Sequence, residues 1–117
     1  MADEVSTTTT PAWVETIVAA HTSVAGSHVS HYARLIHDSR YFCWTDDDRE
    51  DLNSDNGHND KAVTGFTDLF TKQEFDPWAE QLEAAFDAAG ILWEKTGVSF
   101  EPDTGYIHHT WDWTVVY

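Results

Sequence analysis

The stretch DPWAEQLEAAFDAAG, residues 76–90, carries the clearest secondary-structure signal in the chain and predicts an amphipathic helix. Asp76 is a favourable N-cap, Pro77 suits the first helical position, and Gly90 suits the left-handed residue that ends a helix. At about 100° per residue, one face collects the apolar side chains of Trp78, Leu82, Ala85, Phe86 and Ala89. The other side collects the carboxylates of Glu80, Glu83 and Asp87. We therefore expect one buried face and one acidic, solvent-facing side.

The chain that follows this helix has the pattern of antiparallel strands. Two short apolar runs, 91–93 and 98–100, are separated by a Thr-Gly turn at 96–97, and a Pro-Asp-Thr-Gly turn occupies 102–105. In the last run, 106–117, apolar and more polar side chains alternate, which predicts a strand with one apolar face. We expect that face to pack on the helices. It comprises Ile107, His109, Trp111, Trp113, Val115 and Tyr117.

Two further helices are predicted on the N-terminal side of the chain. Residues 10–22 have apolar side chains at helical spacing, with Thr10 as N-cap and Pro11 as the first helical residue. The same spacing recurs over 26–38 and predicts a second helix. An aromatic run at 40–44 then suits a strand that is buried on both faces, with a continued helix as the alternative that periodicity leaves open.

The expected fold class is α+β. We predict a small antiparallel sheet of about three to four strands, ending in a C-terminal meander or hairpin and covered by about three helices. Residues 1–9 are polar and lack apolar periodicity, so we expect a flexible N-terminal tail before a single α+β domain over 10–117. Residues 62–75 bring apolar groups back toward the core, but their pattern defines neither a helix nor a strand.

The one cysteine of the chain is expected to be a small buried hydrophobe. Cys43 lies between Phe42 and Trp44, and a single cysteine cannot form an intramolecular disulfide, which suits a reducing compartment. The first residues lack the basic and apolar segments of a secretory signal, and no run approaches the ~18 apolar residues of a membrane span. We expect a cytoplasmic protein, in the host cell cytoplasm if it is phage-encoded.

Charge is the dominant feature of the composition. The 117 residues contain 21 Asp and Glu against 6 Lys and Arg, a formal net charge of -15. Residues 1–44 carry a net charge of -2 and residues 45–117 a net charge of -13. A net charge with a magnitude of about 2 to 8 is enough to keep a small domain in solution, and a larger net charge adds self-repulsion to the folded state. Such a field repels nucleic acid and anionic membranes and attracts basic protein surfaces.

We predict that the carboxylates imitate nucleic-acid phosphates for a basic nucleic-acid-binding protein, such as a restriction enzyme, a CRISPR effector or a nuclease. Residues 45–60 should form a solvated acidic loop, and its acids would continue the row on the 76–90 helix. No direct contact with nucleic acid or a membrane is expected. The predicted partner-binding residues are Asp46, Asp47, Asp48, Glu50, Asp51, Asp55, Asp60, Glu80, Glu83 and Asp87.

In size and charge, the chain resembles the small DNA-mimic inhibitors that phages and mobile elements direct against restriction enzymes and CRISPR effectors. The resemblance is one of composition, so it implies a protein-binding inhibitor and assigns no role to any residue. Two alternatives stay open. One is an immunity protein or antitoxin that blocks a nuclease toxin through a compact acidic patch with aromatic anchors. The other is a halophile-adapted protein whose charge is an adaptation to high salt.

The sequence contains no complete catalytic, cofactor or metal signature, and we expect no enzyme activity, cofactor or metal. The segment from Asp51 begins like a calcium-binding loop, but Gly57 is one position too late and Ala62 stands where a bidentate Glu belongs. His28 and His31 would share a face of the predicted second helix, as zinc ligands can, without a cysteine pair or a His-Glu-x-x-His motif. No Gly-x-Ser-x-Gly turn or phosphate loop is present.

Overall fold

The computed structural model describes residues 10–35, 38–51 and 61–117, with the backbone alone for residues 50 and 51. Within these residues the chain forms two helices and one five-stranded sheet. In chain order the elements are α1 (Ala12–Ala25), β1 (Val29–His31), β2 (Arg40–Asp51), β3 (Lys61–Thr71), α2 (Trp78–Ala88), β4 (Leu92–Phe100) and β5 (Ile107–Val116). The strands lie in the order β1-β2-β3-β5-β4, with β1 parallel to β2 and the other pairs antiparallel.

The prediction of three helices on an antiparallel sheet of three to four strands is therefore wrong, although the fold is broadly α+β. The segment 26–38, predicted as the second helix, contains the short strand β1. Its residues pair in parallel with 42–44 of β2, so bonds to a neighbouring strand replace local helical bonds. Tyr32 then takes a left-handed backbone conformation with φ 74°, which no α-helix accommodates.

The acidic segment 45–51 is a strand and not the predicted loop. It extends β2 and pairs with β3 as far as Asp51, which lies opposite Lys61. A bulge between Asp46 and Asp48 adds one residue to β2 and disturbs the alternation of side chains locally. Since backbone pairing with β3 does not depend on the charge of the side chains, the polar composition of this segment gave the wrong prediction.

The predicted hairpin after α2 is instead one continuous strand, β4. Its Thr-Gly pair at 96–97 lies inside the strand, where a bulge between Lys95 and Gly97 keeps the pairing with β5 continuous. The hydroxyl of Thr96 lies 2.6 Å from that of Thr110 on β5. A Gly within an apolar run signals a bulge as well as a turn, and here the pairing with a long neighbour strand decides between them.

The helix predicted at 76–90 and the alternation of the last strand are confirmed. The backbone N–H of the first residue of α2 donates to Oδ1 of Asp76 at 2.9 Å, so this carboxylate caps the helix. Gly90 has the expected left-handed φ of 74°, and the Ile91 N–H donates to the Phe86 carbonyl at 2.9 Å. Every second residue of β5 from 109 to 115 is buried, namely His109, Trp111, Trp113 and Val115.

Both helices pack on one face of the sheet, and the main core lies between them. α1 confirms the first predicted helix but runs on to Ala25, and it begins at Ala12 because Pro11, predicted as the first helical residue, has a non-helical ψ of 147°. The largest buried side chains of this core are Trp13, Ile17, Phe42, Trp44, Leu69, Leu82, Phe86, Ile91, Trp111 and Trp113. The opposite side, which we call the open face, has a small cluster at one end, formed by Tyr41, Cys43, Phe70 and Tyr106. Neither helix of the described residues has the length and apolar character to cross a membrane.

A buried chain of polar groups joins α1 to the sheet. The indole Nε1 of Trp113 donates to Oγ1 of Thr67 at 3.0 Å, and that hydroxyl lies 2.8 Å from Nε2 of His21. Nδ1 of His21 lies 2.6 Å from the Ile17 carbonyl oxygen. Because a carbonyl can only accept, the ring proton is on Nδ1, and Nε2 accepts from the Thr67 hydroxyl. Burial lowers the pKa of His21 to about 4, so the neutral ring fits this chain at neutral pH.

We expect Phe86→Ala to lower the free energy of unfolding by about 3–5 kcal/mol, because Phe86 is fully buried and its truncation leaves a cavity. Phe75→Ala removes the same atoms from a ring that is 88% exposed and should change the free energy by less than about 0.5 kcal/mol. Urea unfolding followed by Trp fluorescence compares the two variants. Equal losses would contradict the packing of α2 on the sheet.

We also expect His21 to make stability depend on pH between 6.5 and about 4. In the unfolded chain the His21 imidazole takes up a proton near pH 6.5, and in the folded chain only near pH 4. The contribution of the neutral ring to the free energy of unfolding is therefore complete above pH 6.5 and is lost as the pH falls toward 4. The full effect is roughly 3 kcal/mol. The free-energy advantage of the wild type over His21→Gln should therefore shrink across this range in urea titrations. A constant advantage would contradict a buried, neutral His21.

Candidate partner-binding surface

The carboxylates predicted on α2 lie on the helical layer, and two of them are hydrogen-bonded to the sheet. Glu83 accepts from the indole Nε1 of Trp111 at 2.9 Å, and Asp87 accepts from that of Trp93 at 2.8 Å. Glu80 is exposed and has no such partner within the described residues. In the predicted acidic row along this helix, Glu83 and the exposed Asp87 therefore hold Trp side chains, and the exposed Glu80 does not.

The carboxylates predicted on β2 form the end of the strand nearest the acidic segment 52–60. Oδ1 of Asp46 accepts from the Tyr32 hydroxyl at 2.9 Å and lies 3.1 Å from Nε2 of His31. Partial burial opposes ionisation of Asp46, but these two hydrogen bonds outweigh it and lower the pKa. The exposed Asp47 accepts from the Thr64 hydroxyl at 2.6 Å, which places it on the open face.

The other predicted acids on this side have less structural detail. Asp48 is exposed and accepts from the backbone N–H of Arg49 at 2.7 Å. Two of the remaining positions, Glu50 and Asp51, lie on β2 by their backbone, and their side chains are outside the described part. Asp55 and Asp60 fall within residues 52–60, which are also outside it.

The open face carries a like-charged pair that the sequence prediction missed. Glu94 on β4 lies directly opposite Asp112 on β5, and the preceding pair, Trp93 with Trp113, faces the helices. Both carboxylates are exposed, and among the described residues no Lys or Arg lies within 4.0 Å of either. Like charges at directly opposite positions destabilise a sheet. The fold retains this repulsion, and no Lys or Arg of the described residues lies close enough to offset it.

Charged groups are segregated along the open face. At one end, the guanidinium of Arg34 lies 4.1 Å from the Phe70 ring centroid and 3.0 Å from Glu101. Next to it on β3, Asp68 lies 2.7 Å from Nε2 of His108. Beyond Asp68, further carboxylates of this face have no basic side chain within ion-pairing distance in the described residues: Asp47, Asp48, Glu94 and Asp112. The open face therefore has acids paired with Arg and His at one end and carboxylates without such partners over the rest.

The two groups of predicted site residues lie on different surfaces. Asp47 is on the open face, whereas Glu80, Glu83 and Asp87 are on the helical layer, so they do not form one row. Sequence reasoning missed Asp68 and Glu94 because β3 had no predicted structure and β4 was divided by a turn. The alternation of the last run did place Asp112 on the polar side of its strand.

The histidines of this region are bonded to carboxylates. His28 is not on a helix with His31, as the sequence predicted, because both belong to the β1 segment. Its Nδ1 lies 2.8 Å from Asp38, and His31 is stacked between the rings of Tyr32 and Trp44. In the described residues, no three His, Cys, Asp or Glu side chains are grouped so that they could hold a metal ion.

The chain matches no protein-family model, and a search of curated proteins gives no match. The geometry of the charged surfaces is therefore the basis on which a function is proposed.

Proposed function

We propose that this protein is an inhibitor that binds a basic, nucleic-acid-handling protein and occupies the surface where that protein would hold DNA or RNA phosphates. A restriction enzyme, a CRISPR effector and a nuclease are the partner classes that fit, and we place the encounter in the cytoplasm. The protein would act by binding alone and not by catalysis. The observation that carries the proposal is the Glu94 and Asp112 pair, two exposed carboxylates held opposite each other with no Lys or Arg of the described residues within 4.0 Å.

The open face offers these carboxylates as a rigid array. Side chains on one face of a sheet are about 5 Å apart across the strands and about 7 Å apart along them. Lys and Arg side chains that grip a nucleic acid displace counterions from closely spaced phosphates, and an array of fixed carboxylates allows the same exchange. A basic partner would also relieve the repulsion between Glu94 and Asp112, which gives this face a specific gain on binding.

One observation favours an immunity protein or antitoxin as a second candidate. Tyr32 is 63% exposed, stacks on His31 at 3.7 Å between ring centroids, and donates its hydroxyl to Asp46. An exposed aromatic ring beside a compact group of acids at 46–48 is the kind of anchor that dominates tight protein interfaces. Both candidates block a basic surface, and they differ in whether this compact end or the whole open face makes the contact.

Two double variants with the same charge change test the role of the open face. Glu94→Gln with Asp112→Asn should weaken binding to the partner, mainly through a slower association rate, because steering by charge is lost. The free energy of unfolding should rise by about 0.2–1 kcal/mol as the repulsion is removed. Glu15→Gln with Glu80→Gln neutralises two exposed acids of the helices and should leave binding nearly unchanged.

The measurement is surface plasmon resonance at several ionic strengths, with the protein that the immobilised chain captures from an extract of its native host. Binding of the wild type should fall steeply with salt. Equal weakening by both double variants would mean that net charge alone matters. No weakening by either, or a fold that requires molar salt, would assign the acidity to solubility or to halophilic adaptation.

A further inference from the structure

A groove of about 540 Å3 lies between the edge strand β4, the neighbouring β5 and the loop before α2. Its apolar walls are formed by Phe75, Val98, Phe100 and Ile107. The volume falls within the ~300–1,000 Å3 of small-molecule sites, which typically combine apolar walls with a few polar groups. The groove is on the helix side of the sheet, so it is separate from the carboxylates of the open face.

The walls of this groove expose apolar side chains to solvent. Phe75 is 88% exposed, Phe100 62% and Val98 57%. Phe75 also has a left-handed φ of 55°, an uncommon and unfavourable conformation for an aromatic residue. Apolar side chains gathered in one exposed concave place mark a binding site more often than single exposed ones do. Covering them would remove a substantial apolar area from water.

Two basic side chains line the groove, Lys95 and His109, and they contact each other. The ammonium of Lys95 lies 3.1 Å from Nδ1 of His109, and since an ammonium only donates, Nδ1 accepts and the ring proton is on Nε2. Burial, followed by the charge of Lys95, lowers the pKa of His109, which keeps the ring neutral. Its Nε2 is buried and has no hydrogen-bond partner among the described residues. The exposed Lys95 ammonium has three N–H groups, so it keeps donors for a ligand that accepts hydrogen bonds.

Lys95 is also a cation without an acidic partner nearby. No carboxylate of the described residues lies within 4.0 Å of its ammonium, although the chain has 21 Asp and Glu. The nearest acids around His109 are engaged elsewhere, because Glu83 accepts from Trp111 and Asp76 from Arg40. Glu74 also lines the groove and opposes an anion, and because its side chain is exposed, salt screens this repulsion.

We propose that the groove binds a small molecule with an apolar body and one carboxylate. The body lies against Phe75, Val98 and Phe100, and the carboxylate accepts from the Lys95 ammonium. An ammonium head group would be repelled by Lys95, and a neutral alcohol would gain only a weaker hydrogen bond. This site does not depend on the proposed partner, since it uses the other side of the sheet.

Isothermal titration calorimetry with octanoate, octanol and octylamine tests the proposal on the full chain, because the three probes share the apolar body and differ in the head group. Octanoate should bind at least tenfold more tightly than octanol, and octylamine least. The NMR signals of the His109 and Phe75 rings should shift with octanoate. Equal binding of octylamine and octanoate, or no binding of octanoate at millimolar concentration, would overturn the proposal.

Surface variants locate the site. Lys95→Gln should weaken octanoate binding roughly tenfold and leave octanol binding unchanged, as expected for one charge-assisted contact. Glu74→Gln should strengthen octanoate binding. Phe100→Ser should weaken both ligands, whereas Leu92→Ser, on the same strand and 63% exposed against 62% for Phe100, should weaken neither. If Lys95→Gln has no effect, or Leu92→Ser is as harmful as Phe100→Ser, the assigned groove is wrong.

Discussion

The Thr67 hydroxyl is the contact on which the arrangement of the layers depends. It accepts from Trp113 on β5 and donates to His21 on α1, so a single side chain of the central strand fixes a helix and a neighbouring strand. Two residues earlier on the same strand, a Cβ at Gly65 would overlap the Trp113 ring and the Thr45 carbonyl oxygen. The indole therefore occupies the space that only a glycine leaves, and its N–H reaches Thr67.

This constraint determines which side of the sheet is free. The indole rings of Trp44, Trp111 and Trp113 turn toward α1 and α2. The alternate positions of β5 between 109 and 115 are Thr110, Asp112 and Thr114, on the open face. The carboxylates at 94 and 112 are therefore fixed by the same register that buries their neighbours Trp93 and Trp113. Removing the charges leaves that register intact, so fold and charge can be varied separately.

Local signals predicted part of the fold correctly. A capping Asp, an apolar stripe and a terminal Gly defined α2, and strict alternation defined the exposed and buried sides of β5. The wrong predictions concern elements that form by pairing with residues distant in sequence. β1 pairs in parallel with β2, and residues 45–51 become a strand because β3 lies beside them. The same limit applies to the site, since the Glu94 and Asp112 pair exists only once β4 is aligned with β5.

Competition with nucleic acid tests the central claim most directly. The immobilised chain is used to capture proteins from an extract of its native host, and the bound fraction is washed with short duplex DNA or with sodium chloride of the same ionic strength. We predict that basic, nucleic-acid-binding proteins are captured and that DNA releases them far more completely than the matched salt. Capture of neutral or acidic proteins, or of basic proteins that DNA fails to release, would contradict a surface that takes the place of nucleic acid.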